Sequence, residues 1–517
     1  MYQKSAGKIA FLGVALVTIG TALIFSFSSI LEFGVRHLQQ LRRGSDAFQK
    51  WIELPIPLTI QFYIFEVINP RDVINGAKPI LKERGPEWRK KEIIEYSEDG
   101  TRVKYWETKT YIFDPLRSVG SVDDEITIIN APMVSIGSFV EKVAQDQRGS
   151  HRNAHNMHTL NFSHTLCRIK CVLGTLTFGV LNILFAMYRT NLFIKKTPQE
   201  LLFDGYRVRE LDTLLTLAKP IEALGILEIP RVLPNNTFGL FYQRNATREA
   251  FYEVYTGTGD YSHKFTHYVS YRDKSKLDFW KGHFCNMING TDGVMFQPFI
   301  TKNDTLYVFA FDLCRSIHLK FLEETEVKGI PTYRFSPPTD MFYGPHKNKD
   351  NFCFCPWPET PEKCYLDGVL DISSCWKGAP IVLSNPHFLG SSADVYTSVE
   401  GLNPDPNIHT SYLDIEPRVG AVLKAHRRLQ VNVKLDRITM LRQMGSLREQ
   451  GIVPLLWLDE SAEIDSAIET ELNLKLMYPV KLGEFSFPAM IVAGIALIFA
   501  SAFVFCCGKR DKTLVSA

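Results

Sequence analysis

Two apolar runs, one near each end, constrain this chain more than any other feature. "IAFLGVALVTIGTALIFSFSSIL" (residues 9–31) and "FSFPAMIVAGIALIFASAFVFCC" (485–507) each hold 23 residues without a charge. A helix rises about 1.5 Å per residue, so each run can cross a hydrocarbon core about 30 Å thick. The first run is longer than the apolar stretch of a signal peptide, and no clear small-x-small cleavage site follows it. It reads as an uncleaved anchor. Lys509, Arg510 and Lys512 follow the second run and suit the cytoplasmic side. The expectation is a two-span protein. Residues 1–8 and 508–517 are cytoplasmic tails, 9–31 and 485–507 are transmembrane helices, and 32–484 form one lumenal or extracellular domain.

The chemistry between the runs suits an oxidising compartment. N-x-S/T sequons stand at Asn161, Asn235, Asn245, Asn289 and Asn303. Six cysteines, Cys285, Cys314, Cys353, Cys355, Cys364 and Cys375, crowd into 285–375 and read as disulfides whose pairing spacing does not decide. The C-x-C at 353–355 is too tight for a usual zinc knuckle, so no metal is expected. A net charge of +2, with no basic stripe interleaved with aromatics, argues against nucleic acid. No nucleophile elbow, zincin helix, P-loop or dinucleotide fingerprint appears, so the chain reads as a non-enzyme without a cofactor.

Short β-rich runs over 51–130, broken by Pro, Gly and Asn-Gly, read as antiparallel strands. Residues 133–146 are helix-like. In 197–206, Thr197 as N-cap, Pro198 behind it and Glu200 predict a capping box. Strands and loops return over 220–435. In "RRLQVNVKL" (427–435), Leu429, Val431, Val433 and Leu435 alternate with polar residues, which predicts a strand with one buried face. Arg427 and Arg428 read as solvated or structurally paired. His151, His155 and His158 recur at i, i+4, i+7, followed by His164. They read as a polar loop, as a pH sensor for an acidic compartment, or, behind both, as a zinc site. Cys167 and Cys171 either bridge each other or stay free. Cys506 and Cys507, at the inner membrane boundary, are candidate palmitoylation sites.

Three blocks carry a family resemblance: "FEVINPRDVINGAKPILKERGP" (65–86), "CFCPWPETPEKCYLDGVLDISSC" (353–375) and "LNPDPNIHTSYLDIEPRVGAVLKAHRRLQVNVKL" (402–435). The chain resembles the class B scavenger receptors, which include the fatty-acid translocase and the lysosomal integral membrane protein. The resemblance implies an α+β membrane protein. Its ectodomain would be a large irregular antiparallel β-barrel with an apical helical bundle (about 133–206), held by two terminal transmembrane helices. It implies the disulfides Cys285–Cys353, Cys314–Cys375 and Cys355–Cys364. It implies ligand contacts at the apex, for which Arg189, Lys195 and Lys196 are the matching basic residues. The implied function is a plasma-membrane receptor that binds lipids or lipoprotein particles and passes fatty acids or sterol esters through a tunnel to the membrane. The alternative within the family is a lysosomal or endosomal sorting receptor with a pH-dependent protein ligand at the apex. The resemblance leaves room for a homo-oligomer. The tail lacks a Leu-Leu or Leu-Ile pair, which favours the cell surface. Residues 148–172 look like an insertion.

The run "CVLGTLTFGVLNILFAMY" (171–188) holds no charge and reaches the lower length for a span. A third span would put the first family block and the later ones on opposite sides of a membrane. It is therefore expected as a helix outside the bilayer. Thr175, Gly179, Asn182 and Ala186 form a small, partly polar stripe suited to close helix packing.

Overall fold

The structure is a computed structural model. It describes every residue except 1, 54–55, 57, 80, 83–89, 115–117, 119, 155–175, 225–230, 232, 357–363, 365, 449 and 515–517.

The centre is a curled, nine-stranded antiparallel sheet. From one edge its order is Leu58–Ile64, Gln450–Glu463, Ala421–Asp436, Tyr412–Glu416, Ile330–Ser336, Arg315–Val327 and Leu306–Ala310. Ala421–Asp436 is long enough to hold two partners along one edge. Tyr412–Glu416 pairs with its first half and Ile381–Ser384 with its second, and Val369–Asp371 pairs with Ile381–Ser384. Among the described residues, no hydrogen-bonded closure joins the edges Leu58–Ile64 and Leu306–Ala310. A second sheet holds Tyr268–Tyr271, Thr247–Tyr255, Arg102–Lys109 and Lys90–Tyr96.

Period-two alternation explains the edge strand Leu58–Ile64, where Ile60, Phe62 and Ile64 turn inward. The central strand departs from the expected single buried face. Gln430 and Asn432, on the polar side of the alternation, are completely buried. The Asn432 amide donates to the Val382 carbonyl and to Ser384 Oγ, both at 3.0 Å. Gln430 Nε2 donates to Asn432 Oδ1 at 2.8 Å, and Gln430 Oε1 accepts from the His387 N–H at 2.7 Å. The covering segment, 381–388, lies 43 to 50 residues upstream at these contacts, out of reach of local pattern. Asn432→Leu should destabilise the full-length protein by about 2–4 kcal/mol, because it orphans buried polar partners. An unchanged unfolding midpoint in detergent would contradict this.

Helices Ala131–Ala154, Leu176–Met187 and Arg209–Ala223 share one core with the sheet. Val134, Phe178, Leu181, Phe185 and Leu214 pack with Ile60, Val433 and Leu456 in it. Asn130 caps the first helix, accepting from the Met133 N–H at 3.2 Å. The capping box at 197–200 is formed in both directions. Thr197 Oγ1 accepts from the Glu200 N–H at 3.1 Å, and Glu200 Oε2 accepts from the Thr197 N–H at 3.2 Å.

The described part of the mid-chain apolar run is the helix Leu176–Met187. Twelve residues reach about 18 Å, well short of a bilayer core. Among the described residues its stripe meets no close helix neighbour: a Cβ on Gly179 would find nothing within 4 Å, and Ala186 is exposed. Asn182 instead ties the helix to a loop, donating to the Met440 carbonyl at 2.8 Å and accepting from the Arg442 N–H at 3.0 Å. Thr175 lies outside the described residues.

Among the described residues, two helices are long and apolar enough to cross a membrane, Ser5–Gln39 and Ser466–Cys506. They pack against each other through small residues. A Cβ at Gly13 would come within 2.7 Å of the Gly494 carbonyl oxygen, and one at Gly494 within 2.6 Å of the Gly13 oxygen. Such close backbone approach is how helices associate where lipid is as apolar as the side chains. About two turns further toward the N-terminus of the first helix, Ser501 Oγ donates to the Ala6 carbonyl at 2.7 Å. Gly494→Leu should therefore splay the pair. Disulfide cross-linking between Ala6→Cys and Ser501→Cys should fall several-fold in that background. Retained cross-linking would contradict the packing.

Candidate functional site

A cavity of about 340 Å³ lies between the inner face of the curled sheet and the helices. The central strand sends Leu429, Val431 and Val433 into its wall, and its neighbour sends Leu455, Leu456 and Leu458. Two successive leucines line the same wall because the register slips there. Val431 pairs with Leu456 and Asn432 with Pro454, so Leu455 is an extra residue in the ladder. Pro454, which has no N–H to give a ladder, fits such a bulge. Leu429 and Val431 are only half-buried because they border the void.

The opposite wall comes from Ile136 and Phe139 of one helix, Leu211 and Leu214 of another, and the segment 233–244. That segment is held by aromatic contacts. The Phe241 ring lies 5.3 Å from both Phe62 and Tyr111. Asn245 Oδ1 also accepts from the Tyr111 N–H at 2.8 Å. Gly205 is required where the segment crosses the 205 turn. Its φ is +72°, and a Cβ there would meet Thr237 Cγ2 at 2.6 Å.

The charged lining side chains are four cations, Lys109, Arg244, Lys377 and Arg427, and one carboxylate, Asp312. Arg427 pairs with Glu460 and lies 3.2 Å from Asp312. The Arg244 guanidinium lies 5.8 Å from the centre of the Trp376 ring. Such a site can hold an extended apolar tail and present positive charge to an acidic head group. Among the described residues, no group of three or more His, Cys, Asp or Glu side chains could hold a metal ion.

The basic residues singled out from the sequence lie outside this lining. Arg189 is exposed, in a left-handed turn (φ 53°) after the helix Leu176–Met187. Lys195 and Lys196 are adjacent on the strand Phe193–Lys196, so they face opposite ways. Lys195 is exposed, 3.7 Å from Glu125. Lys196 donates to Glu200 at 2.7 Å and lies over the Tyr206 ring. Burial alone would raise the Glu200 carboxyl, but the Lys196 ammonium and the Thr197 N–H outweigh it and hold its pKa below the usual value. Arg428 donates to Asp459 Oδ2 at 2.9 Å and to the Thr410 carbonyl at 2.7 Å, a structural pairing.

His151 belongs to the helix Ala131–Ala154. His155, His158, His164, Asn161, Cys167 and Cys171 lie outside the described residues. Asn235, Asn245 and Asn303 are exposed and Asn289 is half-buried. Asn235 sits beside the lining residues Pro234 and Thr237. The cysteine block holds the disulfides Cys285–Cys353, Cys314–Cys375 and Cys355–Cys364. Cys506 is an exposed thiol. Arg244, Lys377 and Lys109 were not singled out from the sequence. They come from three distant segments and carry no local signal.

The profile of the CD36 family matches residues 11–505. "Lysosome membrane protein 2" from Homo sapiens is 31% identical, over 99% of this chain and 96% of its own. The Mus musculus protein of that name is 32% identical over 96% of this chain and 93% of its own. "Scavenger receptor class B member 1" from Mus musculus is 30% identical over 87% of this chain and 79% of its own. With two apolar terminal helices around a curled antiparallel sheet, three disulfides and a family match along nearly its whole length, this chain belongs to the CD36 family.

Proposed function

We propose that this chain is a lipid receptor and carrier. Its ectodomain, residues 32–484, would be a barrel-like sheet capped by a helical bundle. It would take fatty acids, sterol esters or lipids from lipoprotein particles and pass them through the cavity toward the membrane. The observation that carries this reading is the leucine-walled cavity with cations among its lining. The hydrophobic effect, about 0.8 kcal/mol per methylene, supplies the drive without any reacting group. Arg189 and Lys195, both exposed, are proposed contacts for anionic lipid surfaces. Lys196 is occupied by Glu200. The test is binding of a fluorescent fatty acid to the full-length protein in nanodiscs. Saturable binding competed by unlabelled oleate is expected, and non-saturable partition equal to that of empty nanodiscs would defeat the reading.

The cell-surface assignment has a rival. The rival is a sorting receptor of lysosomes or endosomes, and the likeness to lysosome membrane protein 2 over 99% of the chain supports its location. In that reading, His151, His155 and His158 would make binding of a protein ligand pH-dependent. Imaging of the tagged protein against surface and lysosomal markers separates the two.

A further inference from the structure

A second crevice, of about 500 Å³, lies where the two terminal helices meet the base of the ectodomain. It shares no lining residue with the cavity above. Its apolar lining includes Ile24, Phe27 and Leu31 of one helix and Val480 and Phe487 of the other, with Phe299 from the ectodomain. Its ionisable lining is Glu32, Arg418 and Glu484. Glu32 and Glu484 are also where the uncharged runs 9–31 and 485–507 stop on that side. The crevice therefore straddles the level at which hydrocarbon gives way to head groups.

Arg418 is the one cation of the lining, and Arg36, 5.9 Å from the centre of the Phe299 ring, stands just outside it. The Arg418 guanidinium lies 3.7 Å from Glu416 and 3.9 Å from Glu484, ion-pair distances outside hydrogen-bond reach. One of its N–H groups points at the Met477 sulfur at 3.7 Å. Among the described residues, no oxygen accepts a hydrogen bond from its side chain. Burial pushes the Glu416 carboxyl up, opposed by the Val419 N–H and by Arg418. Glu32 pairs with Arg36 at 2.9 Å. A guanidinium whose donors are not taken up by protein oxygens can receive a phosphate, and flanking carboxylates suit an ammonium beside that phosphate. Pro488, which has no N–H, also leaves the Glu484 carbonyl without its helical donor at the same level.

We propose that this crevice binds a zwitterionic phospholipid of the surrounding leaflet. Its phosphate sits on Arg418, its ammonium lies between Glu32 and Glu484, and one acyl chain runs along Phe27, Leu31 and Phe487. The proposal goes beyond the carrier reading and does not depend on it. The lipid is a resident of the bilayer, and its site lies outside the leucine-walled cavity.

The test uses the full-length protein in nanodiscs containing phosphatidylcholine with a photoreactive acyl chain, and maps the labelled peptides. Label is expected on peptides carrying 24–32 and 480–488, above the level at the lipid-facing Phe11 and Phe503. Arg418→Gln should cut it about tenfold, the loss of one charge-assisted hydrogen bond, and Arg418→Lys should restore part of it. Ser28→Trp fills the crevice from its exposed side without touching a charge. It should lower the label as far while leaving unfolding unchanged. Anionic phosphatidylglycerol and free phosphate should compete poorly. Label that is uniform along the helices, unaffected by both variants, or displaced better by phosphatidylglycerol would overturn the proposal. Leu429→Trp, which touches only the other cavity, should leave this label unchanged whether or not the carrier reading survives.

Discussion

Leu429→Trp combined with Val431→Phe should reduce lipid transfer more than tenfold while leaving the protein folded and on its membrane. Leu429 pairs across the sheet with Leu458 and Val431 with Leu456, and all four line the cavity. Both replaced side chains are half-buried against open space, so the added rings enter a void rather than a packed core. A ligand tail loses about 0.8 kcal/mol for each methylene kept from its apolar berth. Excluding two methylenes costs about 1.6 kcal/mol, already more than tenfold. The opposite substitution, Leu429→Ala, separates this from a stability effect. It widens an existing void instead of opening a new one, so its stability cost should fall at the low end of core truncations, and transfer should persist. The readout is uptake of a fluorescent fatty acid or sterol ester, normalised to protein at the membrane. Full transfer by the doubly filled variant would mean that lipid does not travel through this cavity.

Loss of the Cys314–Cys375 disulfide should be as damaging, through folding. Cys314 is completely buried in a cluster with Trp280, Leu313 and Phe354, and its carbonyl accepts from the Trp280 indole N–H at 2.6 Å. The bridge closes a loop of 61 residues, for which chain entropy gives about 4 kcal/mol. Marginally stable proteins do not tolerate such a loss. Cys314→Ser with Cys375→Ser should leave the protein retained in the secretory pathway with immature glycans. Cys355→Ser with Cys364→Ser opens a loop of only 9 residues, so it should be milder. Glycan maturation of both double variants reads the difference. Equal maturation of the Cys314/Cys375 variant and the parent would refute this account of the block.

Features written in local pattern were legible in the sequence. Helix-length uncharged runs marked the terminal helices, alternation marked Leu58–Ile64, and Thr197 and Glu200 marked a capping box that the structure forms. The alternation over 427–435 predicts one buried face, and the burial of Gln430 and Asn432 on the other escapes it because the segment that covers them is remote in sequence. The stripe through Gly179 and Asn182 read as a helix-packing surface. The structure uses Asn182 to hold a loop, and among the described residues nothing packs on Gly179. The cavity was the least legible part. An inward leucine looks the same on a strand whether it meets a core or a void, so Leu429 and Val431 gave no sign of lining space. Arg244, Lys377 and Lys109 meet only in three dimensions. The basic residues that sequence did suggest, Lys195 and Lys196, lie away from that lining.

The most direct measurement of the central claim is a map of where a transported lipid touches the chain. Full-length protein in membranes would be loaded with a photoreactive fatty acid, irradiated and digested. The account expects label on the cavity walls, at residues 429–433, 455–458 and 238–241, lost on competition with unlabelled oleate. Label confined to the terminal helices and the outer surface, with none on those walls, would contradict it.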